Sequence, residues 1–290
     1  SIALSSKGLY LMILFANSPS AIEDPNIVEV NKLPPRSTFI SFESKKLAKE
    51  ADPNLSEYYL SLNGIWKFHW VKDPADRPVD FFLPSYDDKN WDDFSVPANW
   101  EIHGYGVPIY LNHPYEFSYD PEPPFIPSGY NPVGSYRKKF TVPDSWENRR
   151  IIVHFGAVKS AFFIWVNGNK VGYSQGSKLP AEFDISEYVE LGDNLISLEV
   201  YRWSDGSYLE CQDFWRISGI ERDVFLFAEP KVRIEDFWAK TPLDENYKNG
   251  EMELLIDIFN DYSLDERIKI HIELFNQKGT REYNKHDIIT

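Results

Sequence analysis

The sequence predicts an all-β protein whose main body is a β-sandwich, and three observations carry that expectation. Nine Trp, 17 Tyr and 20 Phe make the chain 16% aromatic, a composition suited to half-buried pleated surfaces rather than helices. From Leu60 onward, short aromatic or β-branched runs recur, each bounded by Gly, Pro, Asn or Asp. Helical periodicity is almost absent. With 290 residues, the chain can hold one large β domain, or one domain and part of another, each with its own apolar core.

Taken in order, the chain opens with Lys7 before the apolar run "GLYLMILFA", and "NSPSA" then ends in small residues at Ala21. That is the layout of a secretory signal peptide, so residues 1–21 are a candidate leader; a buried first strand is the alternative. The run is too short to span a bilayer. If this signal is real the protein belongs in the periplasm or outside the cell; otherwise it belongs in the cytoplasm. Residues 22–54 are punctuated by proline and read as an extended arm, with helical character only in "ESKKLAKEA".

The strands follow as "LNGIWKFHW", "SYRKKFTV", "RIIVHFGAV", "AFFIWVNGNKVGYS", "NLISLEVYRW" and "RDVFLFA". Asn167-Gly168 is a preferred two-residue hairpin pair because both positions tolerate positive φ, and "LGDN" supplies another turn. In "NLISLEVYRW", Ile196, Leu198 and Val200 alternate with Ser197, Glu199 and Tyr201, which predicts a strand with one core face. The stretch "YGVPIYLNHPYEFSYDPEPPFIPSGYNPVG" is too rich in proline for regular structure throughout. It reads either as a rigid ligand-facing loop or as a packing belt. From about Lys231, "EMELLIDIFN" and "RIKIHIELFN" alternate strictly and predict the opening strands of a second, smaller β domain, expected to continue past Thr290.

A formal net charge of −15 without a Lys/Arg-rich run argues against nucleic acid and anionic membranes as partners. One cysteine, Cys211, excludes an intrachain disulfide. No phosphate-binding glycine loop or H-E-x-x-H pattern occurs, and the six histidines are scattered. His69, His154 and His271 lie in strand-like runs and read as structural or solvent-facing. Cys211 has no base beside it in the sequence and reads as a small buried hydrophobe. Asp87-Asp88 and Asp92-Asp93 read as a solvated loop, and Glu182 and Asp184 as the start of a turn. The distinctive stretch is "RWSDGSYLECQDFWR". Here Asp205 follows a strand and Gly206 is expected to let the chain turn, so the carboxylate should project from a rigid scaffold. Such a carboxylate can accept hydrogen bonds from sugar hydroxyls or ligate a hard cation, or it can merely close an Asx-type turn.

Together, "SLNGIWKFHW", "VPANWEIHGYGVPIYLN", "NPVGSYRKKFTV", "AFFIWVNGNKVGYSQGSKLPAEFDIS" and "RWSDGSYLECQDFWRISGIERDV" resemble the N-terminal part of bacterial β-galactosidases of glycoside hydrolase family 2. The resemblance runs from about Ile22 to Thr290, and "NKLPPRSTFISFES" is similar to that family's N-terminal arm. It implies a jelly-roll sugar-binding domain over residues 55–229 and the start of an immunoglobulin-like sandwich over residues 230–290. It places the acid/base and nucleophile glutamates in a TIM barrel, which takes roughly 250 residues of alternating strands and helices and is expected to lie beyond this chain. No catalytic residue is therefore expected here, and no pair of carboxylates suited to retaining hydrolysis is evident.

By the same resemblance Asp205 matches an aspartate that binds sodium and the galactosyl primary hydroxyl, and Asn112 matches a substrate-contacting asparagine. The implied cofactors are Na+, and Mg2+ in the absent catalytic domain. The implied partners are a β-galactoside and, at full length, further copies of the chain. His113 and Cys211 depart from the family pattern. The alternatives are a free-standing jelly-roll carbohydrate-binding module, and a β-glucuronidase or β-mannosidase relative, which should lack "RWSDGSYLE" in this form.

Overall fold

The structure, a computed structural model, describes residues 20–112, 115–263 and 265–289. The candidate leader lies outside the described residues up to Asn17, Ser18 and Pro19, as does His113. Among the described residues the fold is nearly all β, as the composition requires.

Strand Gly192–Tyr201 forms the middle of a seven-stranded antiparallel sheet. From one edge to the other, that sheet runs Glu29–Val30, Asn169–Gln175, Ala161–Val166, Gly192–Tyr201, Val133–Val142, Gly64–Val71 and Asp92–Val96. Its inner face packs on a four-stranded sheet of Ala181–Asp184, Arg150–Phe155, Val224–Glu229 and Tyr59–Ser61. The core between them holds Ile196, Leu198, Val200, Phe162, Phe155, Phe183, Trp66 and Trp100. Truncating a buried tryptophan such as Trp66 to alanine typically costs about 3–5 kcal/mol, so this layer carries much of the stability.

The expectation of one core face on "NLISLEVYRW" is corrected, because Ser197, Glu199 and Tyr201 on the outer face are also buried. A second apolar layer covers them, in which Tyr201 packs with Phe81, Trp91, Phe163, Trp165, Tyr173, Ala21 and Ile22. The loop before strand Asp92–Val96 supplies Phe81 and Trp91, and the turn Ser20–Glu23 supplies Ala21 and Ile22. Glu199 is tolerated there because Arg77 lies 3.3 Å away and Tyr201 Oη donates to it at 2.7 Å. Asp88 is likewise no free loop carboxylate, since it pairs with buried Arg137 at 2.5 Å.

The predicted hairpin is present, with Val166 opposite Asn169 across Asn167 (φ +50°) and Gly168 (φ +85°), the two positive φ angles such a turn needs. Within "PAEFDIS", Ala181–Asp184 is a strand, and the expected turn begins just after it, with Ser186 N donating to Asp184 Oδ1 at 3.0 Å. Its register against Arg150–Phe155 places Glu182 opposite His154.

The arm crosses both sheets. Glu29 and Val30 pair with Ser174 and Tyr173, and Leu33 N donates to Glu182 O at 2.8 Å. Ser37 N then donates to Asp236 Oδ1 at 2.8 Å, and helix Lys45–Glu50 follows with Ser44 as its N-cap, as "ESKKLAKEA" predicts. The second unit consists of two antiparallel strand pairs, Val232–Lys240 with Glu253–Asn260 and Ile268–Phe275 with Arg281–Ile289. Its alternation is the predicted one, with Leu254, Ile256, Ile258, Ile268, Ile270 and Ile272 half-buried.

Candidate functional site

Three segments meet at one end of the sandwich: the chain leaving strand Gly192–Tyr201, the proline-rich loop after strand Ile109–Leu111, and the end of strand Asn169–Gln175. Beyond Tyr201 the backbone is clamped at Trp203, whose N–H donates to Asn131 Oδ1 at 2.9 Å while Asn131 Nδ2 donates to Trp203 O at 3.0 Å. The indole Nε1 donates to Glu116 Oε1 at 2.8 Å. Ser204 then caps the 3₁₀ turn Asp205–Tyr208, and its own N–H donates to Ser207 Oγ at 3.1 Å. This reciprocal capping fixes the turn without a long helix.

Asp205 is the first residue of that turn and is 8% exposed, more withdrawn than a projecting carboxylate. Its Oδ1 accepts from Gln175 Nε2 at 2.5 Å and from Gly206 N at 2.9 Å. Its Oδ2 has no hydrogen bond among the described residues and is not among the buried oxygens sealed from solvent. Burial pushes the Asp205 carboxyl above the usual carboxylate range, against the opposing hydrogen bonds of Gln175 and Gly206, and Asp24 adds to the rise. Gln175 Nε2 also donates to Tyr173 Oη at 2.7 Å, and Tyr173 Oη donates to Ala21 O at 3.2 Å.

Gly206 has another role than the expected one. A Cβ there would come within 2.9 Å of Gln175 Oε1, so the glycine admits the amide that holds Asp205. Gln175 and Tyr173 carry no motif of their own. They reach Asp205 only because sheet register brings strand Asn169–Gln175 beside it, and sequence reasoning missed both.

Asn112 lies exposed at the end of strand Ile109–Leu111, where Leu111 pairs with Phe214. The loop beyond folds back over the Asp205 turn. Tyr115 and Phe117 rings lie 5.0 and 5.1 Å from Tyr208, and Phe117 and Tyr130 lie 5.5 and 5.7 Å from Trp203. Asn112 thus sits at the end of the strand that precedes this loop, and no hydrogen bond joins it to Asp205 among the described residues. Next to Asn112, Tyr110 and Trp215 form an exposed edge-to-face pair 5.7 Å apart, and Tyr110 Oη donates to Asp213.

Cys211 is a thiol that donates to Ser207 O at 2.8 Å, and burial together with the charge of Glu116 pushes it up to about 11. It is no nucleophile near neutral pH. His154 is structural, buried against Phe225 and bonded to Glu182 at 2.8 Å. Among the described residues, no group of three or more His, Cys, Asp or Glu could hold a metal ion. Asp205 can give a hard cation one carboxylate oxygen of the right type, with the remaining oxygens coming from neutral groups, water or other segments.

An antiparallel sandwich with a carboxylate, an amide and flat aromatic faces gathered at one end offers the groups that a carbohydrate needs, polar partners for hydroxyls and apolar faces for C–H surfaces. Residues 59–230 match the family described as "Glycosyl hydrolases family 2, sugar binding domain", and the chain belongs to that family. It is 43% identical over 249 residues to a β-galactosidase of Priestia megaterium, covering 85% of this chain and 24% of that protein. It is 44% identical over 218 residues to a β-galactosidase of Psychromonas ingrahamii, covering 75% of this chain and 21% of that protein. The chain thus spans about a quarter of the length of these relatives. Among solved structures, a β-glucuronidase of Bacteroides uniformis shares the fold with a TM-score of 0.64 at 21% identity, covering 80% of this chain and 26% of the other.

Proposed function

We propose that this chain is the N-terminal, substrate-contacting part of a retaining β-galactosidase that removes terminal β-D-galactosyl residues. Asp205 binds the sugar and gives one oxygen to a sodium ion, Asn112 binds the sugar, and the catalytic glutamates come from a TIM barrel outside this chain, where Mg2+ also belongs. The observation that carries this reading is the divided state of Asp205. One oxygen is locked by Gln175 and Gly206, and the other is left for a ligand. Its similarity to β-galactosidases of Priestia megaterium and Psychromonas ingrahamii supports the reading.

The chemistry follows from the surroundings of that group. Gln175 fixes the carboxylate plane before any ligand arrives, so little orientation is lost on binding. Partial burial strengthens any charge-assisted hydrogen bond that Oδ2 accepts from a sugar hydroxyl. A bound sodium would supply positive charge that offsets the desolvated carboxylate and orients the same hydroxyl. Retaining hydrolysis requires two carboxylates about 5–5.5 Å apart, a task assigned here to the barrel.

The test is hydrolysis of a chromogenic β-galactoside by a chain that joins this segment to its barrel, with and without Asp205→Ala. The expected result is a loss of about 10- to 100-fold or more in kcat/KM, and unchanged turnover would refute the role. Titrating galactose and lactose into the 290-residue chain alone separates a free-standing binding module, which would bind clearly, from a segment that needs the barrel.

A further inference from the structure

Away from the Asp205 cluster, Lys159 ends the short strand Val158–Lys159 and is only 5% exposed. No hydrogen-bond acceptor or ion-pair partner reaches its ammonium among the described residues, and Nζ lies over the Phe214 ring, 4.9 Å from its centroid. Buried charges are paired as a rule. The neighbouring charges are already engaged: Lys178 pairs with Glu221, and Glu210 accepts from Ser177 N and Ser177 Oγ.

Beside Lys159 lies a cavity of about 180 Å³, whose lining includes apolar Phe214 and Leu179 together with Lys159, Lys178, Glu210 and Gln212. Burial pushes the Lys159 ammonium down from the usual lysine range, and Lys178 adds to the fall, while Glu116 and Glu221 oppose it and Arg216 reinforces it.

We propose that this cavity binds a carboxylate, which pairs with Lys159 Nζ and lays its carbon substituent against Phe214 and Leu179. The charge balance favours a monoanion. One cation lacks a partner, and Glu210 in the lining, with Glu116 and Glu221 nearby, would repel a phosphate dianion about twice as strongly as a monoanion. A neutral ligand would leave the ammonium uncompensated. The apolar wall selects a group with a hydrocarbon body over a bare inorganic ion. The site is independent of the galactosidase reading, because none of its lining residues holds Asp205 or Asn112.

The experiment follows the Lys159 ε-carbon resonance in the 290-residue chain during titration with propionate, with chloride at equal ionic strength as the control. The expected result is a saturable change with propionate, an upward move of the Lys159 titration, and no saturation with chloride. Equal responses to both anions, or no response, overturn the proposal. Lys159→Met should weaken propionate binding at least about tenfold, the loss of one charge-assisted hydrogen bond. In thermal unfolding, propionate should raise the midpoint of the wild type and of Lys178→Gln but not of Lys159→Met; a rise in all three overturns the proposal. Repeating the titration with N-acetylglutamate amide identifies the source. Tighter binding of propionate assigns a small free acid, and tighter binding of the capped residue assigns an acidic protein side chain.

Discussion

At Asp205, burial and hydrogen bonding pull in opposite directions, and burial wins, leaving the carboxyl above its ordinary range. The folded chain therefore holds this proton more tightly than the unfolded chain. Between the ordinary value and the raised one, stability falls as pH rises, and at neutral pH the ionised group is a net cost. Asp205→Asn removes that charge while keeping an oxygen that can accept from Gln175 and Gly206. Urea unfolding at pH 7 should find the variant within about 1 kcal/mol of the wild type or above it; a larger loss would mean that the charge serves folding rather than a ligand. The position of Asp205 was legible because Trp203, Ser204, Gly206 and Ser207 surround it in a distinctive order. Gln175 was not, because its contact with Asp205 spans 30 positions in sequence, and nothing local to "GYSQGSK" encodes that pairing.

Elements show the same division. The hairpin at Asn167-Gly168, the helix after Ser44 and the turn after Asp184 are readable because their chemistry is local, while strand Ala181–Asp184 is not, because its pattern is short and acidic. What makes it a strand is tertiary pairing. Glu182 bonds His154 at 2.8 Å and Arg36 at 2.9 Å, and Asp184 bonds Ser186 Oγ at 2.6 Å and Arg150 at 2.8 Å. Burial pushes both carboxyls up, but these partners outweigh it and hold both below the usual range. The sign is thus opposite to that of Asp205: their stabilisation is present above the ordinary carboxylate values and lost as pH falls through the lowered ones. Glu182→Gln should cost about 1–3 kcal/mol at pH 7 and less in acid, checked by urea unfolding at both pH values. Gly172 marks a close approach between elements, since a Cβ there would lie 2.4 Å from Val30 O and 2.6 Å from Phe183. Gly172→Ala should cost about 1–3 kcal/mol or more through overpacking, with the arm strand Glu29–Val30 exchanging its amides faster than in the wild type.

Over the whole molecule, the arm is what unites the parts. Arg36 lies 2.9 Å from Glu182 and 3.6 Å from Glu229, while Arg150 and Arg233 both reach Glu229 and Glu235. The sandwich, the arm and the second unit therefore share one partly buried charge network, in a chain whose net charge of −15 would otherwise oppose compaction. The sandwich class was legible from aromatic runs and turns. The second apolar layer over the outer face was not, because loop and arm residues without strand periodicity build it. The central claim concerns Asp205 as a ligand offered by this scaffold, and sodium dependence tests it most directly. In a chain joining this segment to its barrel, β-galactoside hydrolysis by the wild type should rise with sodium and saturate, while Asp205→Asn should run about 10- to 100-fold slower without that rise. A variant that responds to sodium as the wild type does would contradict the account.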